Sequence, residues 1–189
     1  MTKIGEYAGK LLSHLQGFYR PGDRELAVEL MEALGLTCVL VRTSGEHSLT
    51  RVHVNSDDLN NVDNVMFLSE MPPVQARLEA VLQERMASDA ELSSAVAQYR
   101  DGARSNGDST PHFGVHFPTN AAVDRVIDTV HNRLSPALAA RVSIKEMPSY
   151  GAVADFPDMR QVFVHTDVFA FGTTTLGQTI ELQVERALA

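Results

Sequence analysis

HFGVHFPTNAAVDRVIDTVHNRL, residues 112–134, holds the pattern from which the fold is read. Its first six residues alternate. Phe113, Val115 and Phe117 share one face and His112, Gly114 and His116 the other, which is the two-residue period of a strand. Pro118, Thr119 and Asn120 then turn the chain. Val123, Val126, Ile127, Val130 and Leu134 follow at helical spacing, so one stripe of a helix is apolar. Beyond it, strand-like runs at 141–145, 161–169 and 178–184 complete an order of strand, helix and three strands.

The same order is expected in the first part of the chain. Residues 11–19 read as a strand, and Pro21-Gly22-Asp23 as a turn with Asp23 as the helix N-cap. Leu26, Ala27, Leu30, Met31 and Leu34 make the apolar stripe, and Gly35 stands where a C-cap glycine belongs. Runs at 37–42, 49–55 and 64–69 follow, with turns at Ser44-Gly45 and at 55–58. Between the halves, Val74, Leu78, Val81, Leu82 and Met86 have helical spacing. Ser88 and Glu91 resemble a capping box, and Leu92, Val96 and Tyr99 begin a second helix. GARSNGDS, residues 102–109, reads as a polar linker. The expectation is an α+β fold of two βαβββ modules, residues 1–71 and 110–189, forming a cupped mixed sheet, with 72–109 as a helical crossover.

The chain has 189 residues, 44% hydrophobic and 21% charged, which suits one domain or two small modules sharing a core. A formal charge of −8 argues against nucleic acid or an anionic membrane surface as the main partner, because both bind through excess Lys and Arg. The one cysteine, Cys38, has no internal disulfide partner and sits in an apolar run as core filler. No apolar run approaches the roughly 20 residues that span a bilayer. The start of the chain has no signal-peptide pattern, so a cytoplasmic protein is expected.

Strand phase sorts the polar residues. Ile180, Leu182 and Val184 oppose Thr179, Glu181 and Gln183, and Val162, Val164 and Val168 oppose Phe163, His165, Asp167 and Phe169. In the first half, Leu11 and Leu15 oppose His14, Gln16 and Phe18. Val52 and Val54 oppose Arg51 and His53, and Met66 and Leu68 oppose Val65, Phe67 and Ser69. Five of the seven histidines (His14, His53, His112, His116 and His165) therefore fall on the faces turned away from the helices. A merely solvated face favours Lys and Glu. The imidazoles point to an enclosed polar concavity, with half-exposed sheet histidines as the plainer alternative.

Two such modules, with His early in a first strand and Glu in a last strand, resemble the vicinal oxygen chelate superfamily. That superfamily includes glyoxalase I, bleomycin-binding proteins and extradiol dioxygenases. GQTIELQ, residues 177–183, looks like its final strand, in which the Glu of an IEL triplet is a metal ligand. ALGL, residues 33–36, is similar to its helix end. The resemblance covers about 9–71 and 110–185. It implies a cup holding a divalent metal, with His14, His112 and Glu181 as ligands. The fourth slot, in VMFL at 65–68, holds Phe67. Two His and one carboxylate resemble the extradiol arrangement and imply Fe(II), with Mn(II) as the alternative.

In such a centre the metal acts as Lewis acid and template for two adjacent substrate oxygens. His116 or His165 is the expected proton-transfer group. Asp167 either orients His165 or faces solvent. Phe67 and Phe163 either wall the cup or fill the space between modules. Arg51 either meets a substrate anion or is an exposed strand arginine. The slot expected to hold an acid-base Tyr looks like Phe171. Three functions follow: a metal-dependent, extradiol-type ring-cleaving dioxygenase; a non-enzymatic small-molecule binding or resistance protein; or a glyoxalase- or epimerase-type isomerase or lyase. The resemblance also implies a homodimer and a small-molecule partner.

Overall fold

The computed structural model describes residues 12–42, 48–60, 63–147 and 160–184. Leu11, the Ser44-Gly45 turn, His47 and the side chain of Val184 lie outside the described residues. The first strand, β1 (His14–Tyr19), leads into helix α1 (Arg24–Ala33) and strands β2 (Thr37–Arg42), β3 (Ser48–His53) and β4 (Val65–Glu70). Helices α2 (Pro73–Ser88) and α3 (Ala90–Ser105) come next, then β5 (His112–His116), α4 (Asn120–Asn132) and a short α5 (Pro136–Ala139). Strands β6 (Val142–Glu146), β7 (Arg160–Thr166), β8 (Phe169–Ala170) and β9 (Gln178–Val184) finish the described chain. The fold is α+β, with two mixed sheets ordered β2-β3-β4-β1-β8 and β5-β9-β7-β6. β1 runs parallel to β4 and β5 parallel to β9, and the other neighbours are antiparallel.

Local sequence explains most boundaries. Gly35 has φ +81, its N–H bonds to Glu32 O, and Leu36 N–H bonds to Met31 O. This is the paired closure that a left-handed residue makes at a helix end. The cap of α4 is Thr119, whose hydroxyl accepts from Ala122 N–H. Asp23 stands at the N-cap of α1 but makes no side-chain cap bond; its carboxylate is taken by Arg141 at 2.7 Å. The cap of α3 is Asp89, accepting from Leu92 N–H at 3.0 Å. Ser88, expected in that role, closes α2 instead and donates back to Glu84 O. The stretch expected as a linker is largely ordered, because α3 continues to Ser105 and a 3-10 turn covers Gly107–Ser109. The expected strand at 161–169 divides at Thr166, where the Val168 N–H turns to the Thr166 hydroxyl. Its far end becomes β8 and joins the other sheet.

One apolar cluster joins both sheets to the helices. Val52, Met66 and Leu68 come from the first sheet, and Val115, Val162, Val164, Ile180 and Leu182 from the second. They meet Leu30 and Met31 of α1 and Val123 and Val126 of α4. Cys38 packs against this cluster, and burial, with Glu32 nearby, pushes its thiol up to about 12. It is a core side chain rather than a nucleophile. The opposite face of the second sheet is covered by α3, which packs on β6 and β7. Among the described residues, no helix is long and apolar enough to cross a membrane.

Candidate functional site

The second sheet's polar face is built from neighbouring register rows. Ser143, His165, Thr179 and His112 stand side by side across β6, β7, β9 and β5. In the next row stand Lys145, Phe163, Glu181 and Gly114. Because Gly114 has no side chain, Glu181 can lie against β5; a Cβ there would sit 3.1 Å from Glu181 Oε2. His112 Nε2 lies 3.5 Å from that oxygen. The other ring nitrogen, Nδ1, is 2.7 Å from Thr110 O. A carbonyl only accepts, so Nδ1 carries a proton and Nε2 faces the carboxylate. Either an imidazolium or a cation between the two groups satisfies that arrangement.

Glu181 is 8% exposed, and its other oxygen accepts from Gln161 Nε2 at 2.6 Å. His165, also buried, has Nδ1 3.3 Å from the Thr179 hydroxyl, which lies 3.1 Å from the Thr110 hydroxyl. Burial, followed by Arg104, pushes the His165 imidazole below 6.5, Asp167 opposes this, and Arg100 adds to the lowering. His165 is therefore neutral at physiological pH.

The expected metal ligands do not all meet. His112 and Glu181 are neighbours, whereas His14 lies exposed on the first sheet. Its ring rests on Phe67, with centroids 5.2 Å apart, and its Nδ1 is 3.2 Å from the Ser13 hydroxyl. Among the described residues, no three His, Cys, Asp or Glu side chains gather to hold a metal ion. A three-ligand centre for Fe(II) or Mn(II) does not fit these residues as they are placed.

The other candidates scatter. His116 is exposed on β5, opposite Gln183. Phe163 is 2% exposed, edge-on to the His112 ring and directly beneath Gly107, so it fills space under the 107–109 turn. Arg51 donates to Leu59 O at 3.1 Å, which ties the 54–60 loop to β3. Asp167 accepts from Arg141 Nε at 2.8 Å, so its partner is an arginine rather than His165.

A cleft of about 290 Å³ opens beside His112, lined by Leu15, Tyr99, Phe113, Phe171, Leu176 and Gln178 among others. β1, α3, β5 and the 171–178 segment each contribute to it. Next to the lining residues Thr173 and Leu176, Thr175 is tied to α2 by Glu79, which accepts from both its N–H and its hydroxyl. Tyr99, Leu176 and Gln178 escape a reading by strand phase, since they lie on a helix, a turn and a strand end. Tyr99 was nonetheless legible as part of the helical stripe of α3. Comparison with family models, with curated proteins and with solved structures finds no match.

Proposed function

We propose that the protein binds a small aromatic or apolar molecule in the cleft beside His112. The observation that carries this reading is the lining itself: Tyr99, Phe113 and Phe171 give apolar walls, and His112 and Gln178 supply a few polar atoms. Small-ligand sites combine these features. A volume of about 290 Å³ suits a ligand of one or two rings. The two sheets, in the same reading, are two βαβββ modules of a cupped scaffold, and the protein works as a cytoplasmic homodimer.

The chain has no tryptophan and four tyrosines, so the part of the tyrosine emission that Tyr99→Phe removes reports on the cleft. Titration with a panel of catechols and other small aromatics should give saturable quenching that excess chelator leaves unchanged. Phe171→Ala should weaken it about tenfold, the scale of a lost aromatic contact. Absence of binding across the panel, or binding unaffected by Phe171→Ala, would refute the reading.

A second reading is favoured by the His112–Glu181 pair. A metal-binding imidazole commonly donates its other N–H to a backbone carbonyl, as His112 does to Thr110. With His14 on the other sheet, that reading would leave His112 and Glu181 as the two protein ligands of a metal-dependent enzyme resembling the vicinal oxygen chelate superfamily, either an extradiol-type dioxygenase or an isomerase or lyase. Elemental analysis of the purified protein tests it. Iron or manganese lost in His112→Ala and Glu181→Ala would support it, and unchanged metal content in both would dismiss it. Oxygen uptake with catechols separates the dioxygenase from the isomerase.

A further inference from the structure

On the far side of Leu176 from the aromatic cleft lies a second cavity of about 290 Å³, and its chemistry is opposite. Arg100 and Arg104 line it from α3, Arg141 from the turn before β6, and Ser143 and His165 from neighbouring strands. Residues four apart share a helix face, so Arg100 and Arg104 reach into the same space. The one carboxylate in the wall is Asp167. It is already shared, lying 2.8 Å from Arg141 Nε and 3.9 Å from Arg20. Asp23 holds the remaining side of Arg141 at 2.7 Å.

Two guanidinium groups are thus left without a close carboxylate inside the cavity. Arg100 donates to Thr175 O at 2.6 Å, a bond that orients the group without neutralising it. Among the described residues it makes no ion pair. Arg104 reaches Asp101 at 3.6 Å, but both side chains are more than half exposed, so solvent screens the pair. A chain of net charge −8 has gathered positive charge in one concave place. The same charges act on His165, whose imidazole is lowered first by burial and then by Arg104 and Arg100, with Asp167 opposing.

From this convergence we infer that the Arg100–Arg104–Arg141 cavity binds a phosphoryl group, with Arg100 and Arg104 gripping its oxygens and Ser143 adding a hydroxyl donor. Planar guanidinium forks match tetrahedral oxyanions and give charge-assisted bonds. Arg141, locked by Asp23 and Asp167, forms a fixed positive wall. The cavity is roomier than inorganic phosphate needs, which leaves space for the body of a monoester.

The test is calorimetric titration of the full-length protein with inorganic phosphate and with phenyl phosphate, against sodium chloride at matched ionic strength. Saturable, chloride-insensitive binding is expected. Tighter binding of phenyl phosphate would assign a monoester, and equal binding would assign free phosphate. Arg104→Gln changes an exposed side chain and should weaken binding about tenfold, roughly one charge-assisted bond. Arg100→Gln should weaken it at least as much. Arg133→Gln, at an exposed position outside the cavity wall, should leave it unchanged. No heat with either phosphate, or equal affinity in Arg104→Gln and the unmodified protein, overturns the inference. An equal loss in Arg133→Gln overturns it too, because the effect would then be general charge.

Discussion

The two sheets repeat one another row by row, yet they treat the same positions differently. In the first sheet a row runs Thr37, His53, Val65, His14; in the second it runs Ser143, His165, Thr179, His112. The following rows are Val39, Arg51, Phe67, Gln16 and Lys145, Phe163, Glu181, Gly114. Histidines occupy matching places at two positions. In the second sheet, α3 and the 107–109 turn cover the face; there Gln161 Nε2 bonds to Glu181 and Thr179 meets His165, while Gln161 Oε1 is left unpartnered among the described residues. In the first sheet His14 is exposed, and His53 is buried with its Nε2 unpartnered among the described residues. Register places a side chain, but the neighbour laid over it decides its chemistry.

The largest effect should be the one that treats both sheets alike. Leu68 and Leu182 occupy equivalent core rows and are both fully buried. Leu68→Ala and Leu182→Ala should each cost about 2–5 kcal/mol in urea unfolding, from lost burial plus the cavity left behind. A cost under about 1 kcal/mol in only one of them would break the correspondence. Next comes a change confined to the covered sheet. A Cβ at Gly107 would overlap the buried Phe163 ring. Gly107→Ala should cost about 1–3 kcal/mol of overpacking and shift the ring resonances of His112 while leaving those of His14 in place. Equal shifts at both histidines would mean that the sheets are coupled rather than separately covered.

The covering helix itself offers a smaller test. Asp89→Ala removes the cap of α3 and should cost about 1 kcal/mol, whereas Ser88→Ala should stay within about 0.5 kcal/mol. The reverse order would restore Ser88 as the cap. The smallest effect is acid sensitivity. His53 and His165 both have folded pKa values below 6.5, each chiefly from burial. The unfolded chain therefore binds more protons than the folded one just below that value, so stability is full above about 6.5 and falls as pH drops. His165→Gln should flatten the decline between pH 7 and 5 in chemical unfolding. An unchanged slope would show that His165 does not titrate with unfolding.

What was legible in the sequence followed from local periodicity. The apolar stripes of α1 and α4, Gly35 at a helix end, and the alternation in β5 and β9 all depend on residues a few places apart. Cys38 as core and the inward faces of Met66, Leu68, Ile180 and Leu182 were legible for the same reason. The site was not, because its geometry is set at long range. Strand phase put five histidines on similar faces but said nothing of α3 lying over one sheet and not the other. The IEL triplet pointed to Glu181 and the opening strand to His112, and these two do meet. His14 was read by the same logic, and its neighbour is Phe67. Arg104 fell within the stretch read as a linker, and the significance of Arg100 and Arg104 depends on Arg141, Ser143 and His165, which the sequence sets well apart from them. Asp23 looked like a cap until Arg141 claimed its carboxylate.

β8 gives the molecule a particular order of assembly. Phe169 and Ala170 pair with Tyr19 and Phe18, so the first sheet takes its outermost strand from near the end of the described chain. As the polypeptide leaves the ribosome, β1 must wait with a bare hydrogen-bonding edge until most of the chain has been made. Such an edge invites pairing with a neighbouring nascent chain. Ribosome-stalled fragments that stop before Phe169 should therefore be clients of chaperones, and those extended through both β8 and β9 should engage them less.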